Sequence, residues 1–123
     1  AYYKAVNGQV NDLFYYYREQ AALKARQYQR ALDDIVKAIE LSPKDLTYRA
    51  EHAVVNLRVG RYEESMKILN EILKDEPKYG EAYRLLGLCQ IQLKKTDEAC
   101  GNFNKAKELG DPNVDELIKK YCK

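Results

Sequence analysis

The amino-acid sequence predicts an all-α protein, and three observations support this fold class. Of its 123 residues only 3 are proline and 6 are glycine, the two residues that most disfavour a helix interior. Apolar residues recur at the three- and four-residue spacing of an amphipathic helix. Residues 25–45 and 59–79 also align without a gap, at an offset of 34 residues. The sequence therefore predicts repeated helical units.

The aligned segments share their apolar and proline positions. The matched pairs are Tyr28 and Tyr62, Ile35 and Leu69, Ala38 and Ile72, and Pro43 and Pro77. A third segment, residues 93–113, follows at the same offset, with its proline displaced by one position to Pro112. Three copies indicate a chain organised in three units.

Each unit contains two helical patterns. In the third unit the first pattern places Tyr83, Leu86 and Gln90 on one face, and the second does the same with Phe103 and Ala106. Proline cannot continue a helix interior, so the prolines between units end the second helix. The predicted plan is helix, tight turn, helix and proline, three times over.

A 34-residue unit of two helices, with small residues at fixed places and a closing proline, resembles the tetratricopeptide repeat. In this phase the units are residues 12–45, 46–79 and 80–111. The family's small positions fall on Ala53, Gly87, Ala31, Ser65 and Ala99, and its bulky position on Tyr15 and Tyr83. Glu19 and Arg49 depart from the pattern. The resemblance implies a right-handed α-solenoid whose first helices line a concave side.

The two ends of the chain carry separate predictions. Residues 112–123 are expected to form a capping helix, with Asp111 as its N-cap and Pro112 as its first residue. Residues 1–11 are interpreted as the end of a preceding helix or an N-terminal extension, so the chain is expected to be a piece of a longer protein.

Composition argues against several functions. The net charge of +2 indicates no nucleic-acid partner, and no apolar run is long enough for a membrane span. The chain has no glycine-rich phosphate loop and no metal-ligand spacing, so no cofactor is expected. Three cysteines at spacings of 11 and 22 residues suggest no disulfide framework, and Cys89, Cys100 and Cys122 are interpreted as small apolar helix residues.

Catalysis is also not expected. The only histidine, His52, would need a nucleophile beside it to act as a base. Cys89 is the nearest candidate, but no acid or oxyanion-stabilising group accompanies the two. Both are interpreted as packing residues, and the protein is predicted not to be an enzyme.

The resemblance implies that partners bind in a groove lined by first-helix positions 2, 5, 6, 9 and 13. The predicted groove residues are Leu13, Tyr16, Tyr17, Gln20, Lys24, Thr47, Glu51, Val54, Arg58, Glu81, Arg84, Leu85, Leu88 and Gln92. This mixture predicts a protein or peptide partner with apolar or aromatic anchors. The chain is thus expected to be a non-catalytic interaction scaffold. The alternative is a structural segment that packs against further repeats, or against a second copy as a homo-oligomer.

Some family members bind the acidic C-terminal tails of chaperones through a clamp of Lys, Asn and Arg side chains. The corresponding positions here hold Tyr16, Gln20, Glu51, Glu81 and Leu85. Because no clamp residue remains and two positions are acidic, the sequence argues against a chaperone tail as the partner.

Four consecutive aromatic residues, "FYYY", follow Leu13 and cannot all lie on one helix face. The repeat phase predicts that Tyr15 is a core residue and that Phe14 faces the preceding element. Tyr16 and Tyr17 are predicted to face the groove.

Overall fold

The computed structural model describes residues 11–122, which form α-helices and no strand. The helices are α1 (Asp12–Lys24), α2 (Tyr28–Leu41), α3 (Leu46–Arg58), α4 (Tyr62–Asp75), α5 (Gly80–Gln92), α6 (Thr96–Glu108) and α7 (Asp115–Tyr121). The predicted fold class is confirmed: the protein is an all-α right-handed solenoid of helix pairs, closed by a C-terminal helix. None of the described helices combines the length and the apolar character that a membrane crossing requires.

Side-chain caps begin the first helices of units one and two. The side chain of Asn11 accepts a hydrogen bond from the backbone N–H of Phe14 at 3.0 Å. Asp45 accepts one from Tyr48 at 3.1 Å. Such caps satisfy backbone donors that the first turn of a helix leaves without a partner. They fix where α1 and α3 begin.

The turns inside the three units share one backbone geometry. Arg26, Gly60 and Lys94 occupy the same place in their units, and all three have a positive φ, at 60°, 88° and 63°. After each, a backbone N–H donates back to a carbonyl five residues earlier, for example from Gln27 to Ala22 at 2.8 Å. This is the pattern by which a left-handed residue closes a helix C-terminus. The three turns therefore lie at the same edge of the solenoid.

The core lies between neighbouring helix pairs. Its largest cluster joins α3, α4 and α5 through residues that include Ala53, Leu69, Ile72 and Leu86. Gly87 allows α5 to approach α6, because a Cβ atom there would lie 2.3 Å from the ring of Phe103. Small residues at this crossing let the bulky ones pack beside it.

The closing helix starts later than the sequence predicts. It begins at Asp115, not at Pro112, and its N-cap residue is Val114. Asp111 is engaged elsewhere: its carboxylate accepts hydrogen bonds from Nε of Arg84, at 3.0 Å to Oδ2, and from the backbone N–H of Asn113, at 2.7 Å. Residues 112 and 113 form a turn after Asp111, and the helix begins only beyond that turn.

The interpretation of the cysteines was wrong for two of the three. Cys100, on α6, and Cys122, at the end of α7, form a disulfide bond. Cys89 is a buried free thiol on α5. Sequence spacing could not reveal the pair, because α7 folds back along α6 and joins residues 22 positions apart. The bond holds α7 over Phe103 and Val114.

Candidate protein-binding groove

The first helices α1, α3 and α5 carry all of the predicted groove residues. Their side chains differ in accessibility. The exposed ones are Leu13, Tyr17, Lys24, Thr47, Arg58 and Gln92; the half-buried ones are Tyr16, Gln20, Glu51, Val54, Glu81, Arg84 and Leu88; Leu85 is buried. The accessible part of the surface is therefore narrower than the repeat phase alone indicates.

Aromatic and apolar side chains dominate this surface on α1. Leu13 and Tyr17 lie one turn apart and are 43% and 46% exposed. Tyr16 lies between two rings, with its centroid 5.5 Å from that of Tyr17 and 5.2 Å from that of Tyr48. Burial, followed by the negative charge of Glu51, raises the pKa of Tyr16. Its hydroxyl is therefore held in the neutral form, in which it can donate a hydrogen bond.

The other two rings of the aromatic run have different surroundings. Tyr15 is half-buried and packs against the cluster that contains Ile35 and Ala38. Phe14 meets Tyr15 edge to face, with centroids 5.2 Å apart. The guanidinium of Arg18 lies 4.9 Å from the Phe14 ring centroid. The predicted contact of Phe14 with the preceding element falls outside residues 11–122.

Gln20 and Glu51 belong to a polar cluster beneath the groove. Nε2 of Gln20 donates to Oε1 of Glu19 at 2.7 Å and to Oε2 of Glu51 at 2.8 Å. Glu19 is fully buried. Burial, and then interaction with Glu51, raises the pKa of Glu19, so its carboxyl group is neutral at pH 7. The side-chain N–H groups of Gln20 are thus hydrogen-bonded to carboxyl groups of the protein itself.

Two arginines on the first helices are also committed to internal carboxylates. Arg18 forms two hydrogen bonds to the buried Asp34, at 2.7 and 2.9 Å. Nε of Arg84 contacts the carboxylate of Asp111 at 3.0 Å. Such paired guanidinium groups fix neighbouring helices in place. Sequence reasoning placed Arg84 in the groove but did not detect its partner, which is 27 residues away.

His52 and Cys89 have separate surroundings. His52 lines a cavity together with Arg49, Glu64 and Ile68, and burial lowers its pKa. Cys89 is buried, and burial raises the pKa of its thiol. A thiol with a raised pKa is a poor nucleophile at neutral pH. Within residues 11–122, no three His, Cys, Asp or Glu side chains are grouped to hold a metal ion.

A cavity of about 340 Å³ opens between the C-terminal halves of α3 and α5. Three predicted groove residues line it, namely Arg58, Leu88 and Gln92. Leu57 and Tyr62 complete its wall, and neither was among the predicted groove residues. The repeated tyrosine that aligns Tyr62 with Tyr28 was the signal that could have found one of them.

The family model described as tetratricopeptide repeat matches residues 22–86 and 56–101. Over 99 residues, 80% of this chain, the sequence is 30% identical to small glutamine-rich tetratricopeptide repeat-containing protein 2 of Mycosarcoma maydis. Over 101 residues, 79% of the chain, it is 32% identical to heat shock protein STI1 of Saccharomyces cerevisiae. The chain spans 28% and 17% of the length of these two relatives.

Solved structures share the fold at lower identity. The first tetratricopeptide repeat domain of Spaghetti (RPAP3), bound to the HSP90 peptide SRMEEVD, superposes with a TM-score of 0.77 at 19% identity, covering 90% of each chain. The second such domain of human RPAP3, in complex with the HSP70 peptide SGPTIEEVD, gives a TM-score of 0.72 at 22% identity, covering 89% of this chain and 92% of that one.

These complexes overturn one prediction. The sequence-based exclusion of chaperone C-terminal tails was wrong, because two domains of the same fold bind acidic peptides of HSP90 and HSP70. The exclusion rested on the absence of the Lys, Asn and Arg clamp residues and on the acidic Glu51 and Glu81. Glu51 accepts a hydrogen bond from the side-chain amide of Gln20. Lys24 and Arg58 add exposed positive charge to α1 and α3. The matched repeat model and the helix pairs in register place this chain in the tetratricopeptide repeat family.

Proposed function

We propose that this protein-interaction domain binds an extended segment of another protein along the side chains of α1, α3 and α5. The observation that carries the proposal is the pair of exposed apolar side chains on α1, Leu13 and Tyr17, at one end of a surface that reaches Leu88 on α5. Exposed apolar side chains grouped on one face are typical of interaction sites. Tyrosine adds contact area at a low cost in conformational entropy.

The cavity between α3 and α5 supports an anchored partner. Leu57, Tyr62 and Leu88 give it apolar walls, while Arg58 and Gln92 offer polar groups. An apolar side chain of the partner could fill it, and the polar groups would orient the neighbouring backbone. Binding energy at such interfaces is concentrated in a few anchors of this kind.

The charges of the surface are compatible with an acidic partner. Lys24 and Arg58 are exposed at the C-terminal ends of α1 and α3. A carboxylate placed beside either of them would gain a favourable interaction. Acidic chaperone tails such as SRMEEVD, which a domain of this fold binds, are therefore included among the candidate ligands.

We further infer that the domain acts without catalysis. The thiol of Cys89 is buried with a raised pKa, and the cavity that His52 lines contains no Cys, Ser or Thr side chain that His52 could activate. Binding, rather than bond cleavage, is the activity this surface supports.

The test is a selection of dodecapeptides displayed on phage, followed by titration of the selected peptides, SRMEEVD and SGPTIEEVD, monitored by fluorescence anisotropy. We expect at least one peptide to bind saturably. In the double variant Tyr17→Ala, Leu88→Ala we expect its Kd to rise about ten-fold or more. Val36→Ala is the matched control, because Val36 is an exposed apolar residue on α2, outside the groove; its Kd should stay within about two-fold.

Circular dichroism must be the same for all variants, so that a loss of binding reflects the surface and not the fold. Failure of every peptide to bind would refute the proposal, as would equal Kd values for wild type and the double variant. Light scattering addresses the alternative: a dimer that forms with increasing concentration and is abolished by the same double variant would assign the surface to self-assembly.

A further inference from the structure

One edge of the solenoid carries a row of positive charge, of which the predicted groove includes only Lys24 and Arg58. Each of the three turns inside the units contributes two exposed cationic side chains. They are Lys24 and Arg26 in unit one, Arg58 and Arg61 in unit two, and Lys94 and Lys95 in unit three. We call these six residues the basic turn edge.

Helix electrostatics explains only part of this edge. Cations at the C-terminal ends of α1 and α3, such as Lys24 and Arg58, favourably oppose the negative end of the helix dipole. Arg61 and Lys95 have the opposite placement. They are the N-cap residues of α4 and α6, where a cation faces the positive end of the dipole, and their side chains make no capping hydrogen bond. The stability of α4 and α6 therefore does not explain why these two positions hold cations.

At the positions of four of these cations, another unit of the chain has an uncharged residue. Unit one has Gln27 where the others have Arg61 and Lys95. Unit two has Gly60 where the others have Arg26 and Lys94. That second position has a positive φ in all three turns, a conformation that glycine adopts without the cost paid by a residue with a Cβ.

The side chains of the basic turn edge form no ion pair with the described part of the chain. Across residues 11–122, none of its six side chains lies within ion-pair distance of a carboxylate, whereas Arg18, Arg49 and Arg84 on the first helices are each paired. The edge where one unit follows another is mixed in sign, with Asp45, Asp75 and Glu76 beside Lys44, Lys74 and Lys78. All six charges of the basic turn edge are positive.

We propose that the basic turn edge, which overlaps the groove only at Lys24 and Arg58, is an electrostatic docking surface for an acidic segment of a partner protein. Adjacent packed helices lie about 8–10 Å apart. Successive turns are one helix pair apart, which is at most about 16–20 Å. An extended chain advances about 3.3 Å per residue, so an acidic segment of about eight residues is long enough to contact two successive turns.

The surroundings of the edge favour an acidic polypeptide over a nucleic acid or a bilayer. No aromatic or large apolar side chain of the turns is fully exposed for stacking on bases or for insertion into lipid, because the nearest rings, Tyr28 and Tyr62, are half-buried. Exposed acids follow closely on α4 and α6, namely Glu63, Glu64, Asp97 and Glu98. They confine the positive potential to a strip, which suits one extended chain better than a broad polyanionic surface.

The test compares two quadruple variants with equal loss of charge. The edge variant is Arg26→Gly, Arg61→Gln, Lys94→Gly, Lys95→Gln, in which every new residue is one that another unit already uses at that position. None of the four positions belongs to the predicted groove. The control variant, Lys44→Gln, Lys67→Gln, Lys74→Gln, Lys78→Gln, removes four exposed cations that lie away from the turns. Fluorescein-labelled octaglutamate is the probe, and octaglutamine is the uncharged reference.

At about 50 mM salt we expect the edge variant to raise the Kd for octaglutamate about ten-fold, and the control variant to raise it less than about two-fold. Octaglutamine should not bind to the wild-type protein or to either variant. Equal effects of the two variants would refute the proposal, because the binding would then follow net charge and not this surface. Tighter binding of a twelve-residue oligothymidylate or of phosphatidylserine vesicles, lost in the edge variant, would overturn the assignment to an acidic protein.

Discussion

The carboxyl groups of Glu19, on α1, and Glu51, on α3, share the side-chain amide of Gln20. Nε2 of Gln20 lies 2.7 Å from one oxygen of Glu19 and 2.8 Å from one of Glu51. The second oxygen of Glu19 is buried and has no hydrogen-bond partner among the residues that the structure describes. Glu19 stands where the other units have Ala53 and Gly87, so a carboxyl group is packed at a crossing built for a small residue.

We expect Glu19 to make stability depend on pH. Burial and the neighbouring Glu51 raise its pKa from 4.5 to about 9, so the folded state keeps a proton that the unfolded state releases. The free energy of unfolding therefore falls as pH rises between these two values. Glu19→Gln removes the titration and should stabilise the protein by about 1 to 3 kcal/mol at pH 8, with little effect at pH 4.5. Urea unfolding at a series of pH values measures this.

Glu63→Gln is the control, because Glu63 is an exposed carboxylate on α4. It should leave the slope of stability against pH unchanged. If Glu19→Gln kept the wild-type slope, Glu19 would be ionised in the folded protein and the cluster described above would be incorrect.

The crossing of α5 and α6 should not accept a methyl group. A Cβ at position 87 would lie 2.3 to 3.0 Å from three ring atoms of the buried Phe103. We expect Gly87→Ala to destabilise the protein by about 1 to 3 kcal/mol. Gly101→Ala, in the exposed middle of α6 with open space around it, should stabilise it by about 0.5 to 1 kcal/mol. Thermal unfolding of both variants gives the comparison, and a Gly87→Ala protein as stable as wild type would contradict this packing.

The pair formed by Arg18 and Asp34 should contribute measurably to stability. Asp34 is 1% exposed and accepts two hydrogen bonds from the guanidinium of Arg18, which is partly accessible to water. Asp34→Ala should cost about 1 to 3 kcal/mol, because it removes the buried carboxylate that accepts both hydrogen bonds. The neighbouring Asp33 is exposed, and Asp33→Ala should change stability by no more than about 0.5 kcal/mol. Similar denaturation midpoints for the two variants would argue against the pair.

Reduction of the disulfide between Cys100 and Cys122 should loosen the closing helix. The bond links residues 22 positions apart, and its loss should cost about 2 to 4 kcal/mol. Urea unfolding with and without dithiothreitol measures the difference, and hydrogen exchange should rise first in α7. A Cys122→Ser protein should not respond to the reductant. Before reduction the denatured wild-type chain should show one reactive thiol, Cys89, and finding three would contradict the bond.

Local sequence pattern predicted most of the fold. The offset of 34 residues, the proline positions and the apolar spacing placed six helices in three pairs, because period and chain-breaking residues act over a few neighbours. The start of α7 was missed by three residues, because a turn at residues 112 and 113 precedes the helix.

The properties of the candidate site likewise divide into those set by local sequence pattern and those set by tertiary contacts. By itself, the sequence determined which side chains point from the first helices toward one face, since the helical repeat sets that direction. Only the tertiary structure decided which of them remain accessible. Leu85 is covered, Gln20 is bound between two carboxyl groups, and Arg84 is held by Asp111, while Leu13 and Tyr17 stay exposed. Burial, ion pairing and the disulfide depend on which distant segments meet, and that is set by packing across the whole solenoid rather than by any local pattern.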